Sequence, residues 1–225
     1  MKTKTCEWII VIILLSAIAL VSFFAISIGT SGGFDSYASE KDTTTTPADT
    51  TTTVDHKPVS VERQVYKLLV EAGISQAGAC GIIANAQAES DLCPDNLENH
   101  YNRKFGVTDA EYTRLADLEQ IDFVNDAAGY GLWQFIYHEF KKVLFNTAKS
   151  NGASVSNVET QVKALVKILK TPEFSGLMKF LKNTSDPGLA AEEFMLVFER
   201  PANINTGARS ERTNCAIELY NNINK

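Results

Sequence analysis

"IIANAQAESDLCPDN", residues 82–96, decides how this chain is read. Ile82, Ala86 and Glu89 are spaced four and three residues apart, so on a helix they share one face, with Ile83 beside them. A carboxyl group on an apolar stripe loses hydration, and desolvation favours its protonated form. That placement serves stability badly and a general acid well. The ordinary alternative is a helix-end Glu paired with a Lys or Arg.

Outward from this segment the pattern is helical. "SVERQVYKLLVEAG" (60–73) has Ser60 as N-cap, Val61, Val65, Leu68 and Leu69 on one side, and Gly73 as a stop. Ser75 caps the helix that carries Glu89. Residues 91–131 form a long polar stretch with one short helix predicted in "DAEYTRLADLEQ" (109–120) and room for a short β-hairpin. Loops of that length inside a compact domain are usually functional. "GYGLWQF" (129–135) is expected to open the next helix. Helical spacing continues through "FKKVLFNTAKSNG", "VETQVKALVKIL", "FSGLMKFLKN", "SDPGLAAEEFMLVFERP" and "RSERTNCAIELYNNI". Asp186 and Pro187 fill cap and first-turn positions. The expectation is a mainly α domain over 58–225 with five to seven helices.

The N-terminus reads differently. Lys2 and Lys4 precede "WIIVIILLSAIALVSFFAISIG", more than 20 uncharged residues. At 1.5 Å per residue that crosses a hydrocarbon core of roughly 30 Å. Basic residues before it, with Asp35 and Glu40 after it, favour a cytoplasmic N-terminus. The expected layout is a cytoplasmic segment 1–8, a transmembrane anchor 9–29 and a flexible Thr-rich linker 30–57. The competing reading is a cleaved signal peptide, whose apolar region is usually shorter. Either places the domain outside the cytoplasm, and the first makes this a single-pass membrane protein. "GTSGG" (29–33) fits a G-x-S-x-G pattern but lacks the strand–turn–helix context of a nucleophile elbow.

With 44% hydrophobic and 21% charged residues the composition is that of a globular protein. The formal charge of −6 argues against nucleic acid as a partner, since a phosphate-gripping surface is basic. His56, His100 and His138 are scattered, "HEFKK" lacks the second His of a zinc-protease helix, and Gly-rich phosphate motifs are missing. No metal or cofactor is expected. Cys80, Cys93 and Cys215 lie on the extracytoplasmic side. They are read as free, buried, small hydrophobes, with a bridge to Cys215 as the alternative.

"GIIANAQAES", "NDAAGYGLWQF" and "FMLVFERP", in that order, resemble the phage tail-type lysozyme domain of the lysozyme-like superfamily over roughly 60–222. The resemblance implies a peptidoglycan-cutting domain with Glu89 as catalytic acid. Gly131, Leu132 and Gln134 fall on the family's G-L-x-Q motif, which lines the sugar cleft. Tyr130, Trp133 and Phe135 either stack on sugar or build core; Tyr130, between two glycines, is expected to reach substrate. Hydrolysis by inversion needs a second carboxylate about 6.5–9.5 Å from the acid. Asp126 is the first candidate for it, with Asp122 and Asp91 as alternatives; all three are equally readable as turn aspartates. Glu199 and Arg200 of "FERP" read as an ion pair locking the last helices. The A-Y-N-like triplet of goose-type enzymes is missing, which weakens a transglycosylase assignment. Local wall opening, for an envelope-spanning secretion, conjugation or phage-related machine, is the expected use. The alternatives are a lytic transglycosylase giving anhydro-muramic ends and a glycan-binding scaffold without activity.

Overall fold

Helix α2 (Gln76–Ser90) is the axis on which the domain is built. The computed structural model describes residues 60–200 and 206–223, which all fall in the unit Thr53–Lys225. Every residue of α2 from Ala77 to Ala86 is buried. A helix that is apolar all round belongs at the centre of a helical domain, so the expected single stripe is corrected to a whole buried circumference. Apart from Gln76 at its start, only the last turn, with Gln87, Ala88 and Glu89, reaches solvent.

Small residues let the neighbours come close. A Cβ at Gly78 would lie 2.2 Å from the Leu181 carbonyl oxygen, and one at Gly81 would lie 2.6 Å from the Ala190 backbone. The buried Asn85 amide donates to the Gly81 carbonyl at 2.9 Å and to the Ala191 carbonyl at 3.0 Å, stitching α2 to the next layer. Helices α1 (Val61–Glu71), α7 (Ser175–Asn183), α8 (Pro187–Phe194) and α9 (Thr206–Ile223) surround α2.

The caps fall where the sequence puts them. Ser60 Oγ accepts from the Arg63 N–H at 3.3 Å, Ser75 Oγ from Gly78 at 2.9 Å, and Asp186 from Leu189 at 2.9 Å. Helix α4 (Asp109–Asp117) forms in the stretch where one short helix is expected. Helix α3 (Asn99–Phe105) corrects the reading of its surroundings as loop. It contains no buried residue, and its one apolar pair, Tyr101 and Phe105, is too short a run to read as a period. Helices α5 (His138–Asn151) and α6 (Val158–Leu169) follow, then a 3₁₀ turn at Pro172–Phe174. After α8 the chain makes a π-helical turn, Met195–Glu199.

Two more expectations change. Residues 129–135 form a turn, and α5 starts only at His138. Among the described residues there is no strand, and the room for a hairpin reduces to one antiparallel bridge between Leu97 and Tyr130. Cys80 is buried and Cys215 half-buried, but Cys93 is exposed; all three are free. Among the described residues no helix is long and apolar enough to cross a membrane. The candidate anchor 9–29 and the linker 30–57 lie outside the described residues.

Candidate active site

The turn at 129–135 is fastened to the C-terminal end of α2 through its backbone. Gly131 has φ +79°, a left-handed conformation that side chains resist, and a Cβ there would lie 2.6 Å from Gln161 Oε1. The buried Gln161 fills that space. It accepts from the Leu132 N–H at 2.9 Å and donates to the Pro94 and Val155 carbonyls at 2.6 and 2.9 Å. Ser90 Oγ donates to the Leu132 carbonyl at 3.0 Å, and Trp133 Nε1 to the Ile82 carbonyl at 3.3 Å. Gln134, also left-handed at φ 43°, donates from Nε2 to the Asn96 carbonyl at 3.1 Å.

The consequence for the motif's side chains is a correction. Tyr130, Leu132 and Trp133 are buried, and so is Phe135. The Tyr130 hydroxyl lies 2.6 Å from Thr113 Oγ1, inside the core rather than out toward a substrate. In this motif Gly131 and Gln134 shape the backbone while the aromatics pack. The exposed aromatic that follows this turn is Tyr137, 50% accessible and next to the exposed Ile136. Sequence reasoning missed it because it sits in an irregular segment with no periodicity to mark its face.

Asp126 is committed to holding this segment. Its Oδ2 accepts from the Tyr112 hydroxyl at 2.5 Å and its Oδ1 from the Ala128 N–H at 3.1 Å and from Lys141 Nζ. Lys141 is completely buried and also donates to the Ala128 carbonyl at 3.0 Å. Burial pushes its ammonium below the usual lysine range, with Asp126 opposing that shift. Asp122 is bonded to Asn125, and Asp91 accepts from Gln87. A cavity of about 450 Å³ next to Asp126 is lined chiefly by Phe105, Val107, Leu115 and Ile121, and Glu89 does not line it.

Glu89 lies in a different cluster. Its Oε1 accepts from Arg212 Nη2 of α9 at 2.5 Å; Glu89 is 24% and Arg212 11% exposed. An anion on the last turn of a helix faces the negative end of the macrodipole, and Arg212 offsets it. Glu199, in the π-helical turn, completes the cluster. The residue is half-buried, but its Oε1 is fully enclosed. Burial first, then the charge of Glu89, raises its carboxyl well above the ordinary 4.5, with Arg212 opposing. Arg200 pairs instead with Glu173 at 2.8 Å, so the expected Glu199–Arg200 ion pair is corrected. Sequence reading did not single out Arg212. Its signal is the spacing of Arg209 and Arg212, one turn apart on α9, which pair with Glu192 and Glu89.

The sequence that builds this helix and this turn matches a known family. The profile described as phage tail lysozyme covers residues 60–223, or 164 of the 225. The chain belongs to the phage tail lysozyme family. Phage tail lysozymes are lysozyme-like peptidoglycan hydrolases, and this chain is one in kind. No curated protein matches the sequence. Among the described residues no group of His, Cys, Asp or Glu is arranged to hold a metal ion.

Proposed function

We propose that this protein is a membrane-anchored muramidase whose domain works outside the cytoplasm. It cuts the β-1,4 bond between N-acetylmuramic acid and N-acetylglucosamine, and Glu89 is the general acid. The observation that carries this reading is the position of Glu89: the one carboxyl group on the central helix, on its partly exposed last turn, with a second carboxyl group, Glu199, beside it whose pKa burial raises. Protonation of the leaving oxygen by a positioned carboxylic acid is what glycoside cleavage requires. The turn 129–135 fixes the floor of the glycan site, and Tyr137 supplies an apolar face on which a sugar ring can lie.

Asp126 is assigned to structure, as the counter-ion of buried Lys141. That assignment favours a second reading within the same chemistry. A lytic transglycosylase needs no second carboxylate, because a hydroxyl of the substrate itself attacks. Asp91, Asp122 and Asp126 all have hydrogen-bonding partners of their own.

The test is mass spectrometry of sugars released from purified peptidoglycan by the full-length chain in detergent micelles, wild type against Glu89→Gln. Release of reducing muramic acid ends by the wild type alone is the expected result. Anhydro-muramic ends point to the transglycosylase. Equal release by both proteins removes Glu89 from the reaction, and no release by either, with glycan still bound, leaves a binding scaffold.

A further inference from the structure

Among the described residues four buried side-chain polar atoms make no hydrogen bond, and two of them belong to one cluster: Glu199 Oε1 and Arg212 Nε. Buried polar groups are normally paired, so two unpaired atoms in one cluster call for an explanation. Arg212 Nε can only donate, and an ionised Glu199 could only accept. One is a donor and the other an acceptor, and the charge of Arg212 acts on Glu199.

We propose that Arg212 is a two-position clamp that alternates between Glu89 and Glu199, and that Glu199 holds the proton that the acid needs. The inference rests on Glu89 acting as the general acid. In this conformation Arg212 donates to Glu89, and burial together with the charge of Glu89 favours the neutral form of Glu199. Glu89 in that ion pair has no proton to give. In the alternate state Arg212 turns to Glu199, which loses one proton to solvent while Glu89 gains one. Two carboxyl groups, one proton and one guanidinium are present on both sides, so the cluster stays neutral and the exchange involves no net charging of a buried site.

The other charges around the cluster are already engaged. Arg209 pairs with Glu192 and Arg200 with Glu173. Tyr137 lines the same small cavity as Glu199 and is the remaining titratable side chain of the loop packed on it. Arg212 is therefore the cation that both Glu89 and Glu199 depend on, and the two carboxylates compete for it. Arg212 and Glu199 are positioning residues, acting through Glu89 rather than on the sugar.

The infrared carboxyl-stretch region reads the proton directly, without any activity. The full-length chain at pH 7 is expected to show one protonated-carboxyl band, which Glu199→Gln removes. Glu89→Gln is the deciding variant. If Arg212 alternates, removing its carboxylate partner at 89 sends it to Glu199, and the band disappears there too. If burial alone keeps Glu199 protonated, the band survives in Glu89→Gln and the proposal is overturned. A wild type without the band overturns it as well.

Rates on purified peptidoglycan give the second reading. In Glu199→Gln the clamp has one anion left and stays on Glu89. The rate at pH 7 then falls roughly tenfold and the alkaline limb of the profile moves toward acid. In an Arg212→Gln background the same Glu199→Gln change has no effect on the profile. Equal shifts in both backgrounds overturn the clamp while leaving Glu89 as acid. Unchanged activity in Glu89→Gln instead overturns the assignment of the acid, whatever the infrared band does.

Discussion

Lys141, without exposed surface, donates from its ammonium to Asp126 on the segment that leads into the turn at 129–135. Breaking a buried pair by removing one partner strands the other charge, at a cost of about 3–5 kcal/mol. Lys141→Met is expected to lose that much in urea unfolding. Adding Asp126→Asn to it should recover most of the loss. Asp126→Asn alone should keep peptidoglycan-hydrolysing activity per folded molecule within a few-fold of wild type. A drop of several orders of magnitude at unchanged stability would return Asp126 to the chemistry.

Gly131 is predicted to tolerate no side chain. Its φ of +79° and the 2.6 Å approach of Gln161 both oppose a Cβ. Gly131→Ala should destabilise by about 1–3 kcal/mol. It should also depress kcat, because Gln161 then releases Leu132 and the turn shifts against Ser90, the neighbour of Glu89. Thermal melts and steady-state kinetics check the two effects separately.

Tyr130 and Tyr137 should separate stability from binding. Tyr130→Phe removes a buried hydroxyl bonded to Thr113, costing about 1 kcal/mol with KM unchanged. Tyr137→Ala should leave the melting temperature nearly unchanged and raise KM several-fold, since half of that ring faces water. The reverse pattern would place Tyr130 against the sugar after all.

Much of this architecture was legible in the sequence for definite physical reasons. Ser60, Ser75 and Asp186 could be read as caps because the side chain that satisfies the first free N–H groups is local in sequence. Glu89 stood out because a carboxylate on an apolar helix end breaks the local pattern. Periodicity could not reveal that α2 is buried on all sides, since a run of Gly, Ala and Ile has no polar face to orient. It could not locate Arg212 either, 123 residues from Glu89 in the chain and joined to it only by packing. Nor could spacing show that Asp126 is spoken for, because Lys141 lies on a helix that the sequence places no nearer than any other.

Glu199 gives the domain a pH dependence of definite sign. Its carboxyl is raised well above 4.5, so the folded chain retains a proton that the unfolded chain releases. Stability contributed by this group is therefore present below pH 4.5 and is lost as pH rises toward the raised folded value. The slope reaches at most about 1.4 kcal/mol per pH unit. Urea midpoints of wild type should fall over that window relative to Glu199→Gln, which carries no titrating group there. Parallel curves for the two proteins would show that Glu199 titrates normally.

The glycines of α2 have a consequence for how such a domain can diversify. Where Gly78 and Gly81 press backbone against backbone, neighbouring helices are held by contacts that side-chain replacement elsewhere does not alter. The residue at the end of that rod is thus insulated from change in the loops around it. Ile136 and Tyr137, exposed and outside the rod, can be exchanged for other shapes while Glu89 keeps its coordinates, so under the proposed function the polymer gripped could change without moving the acid.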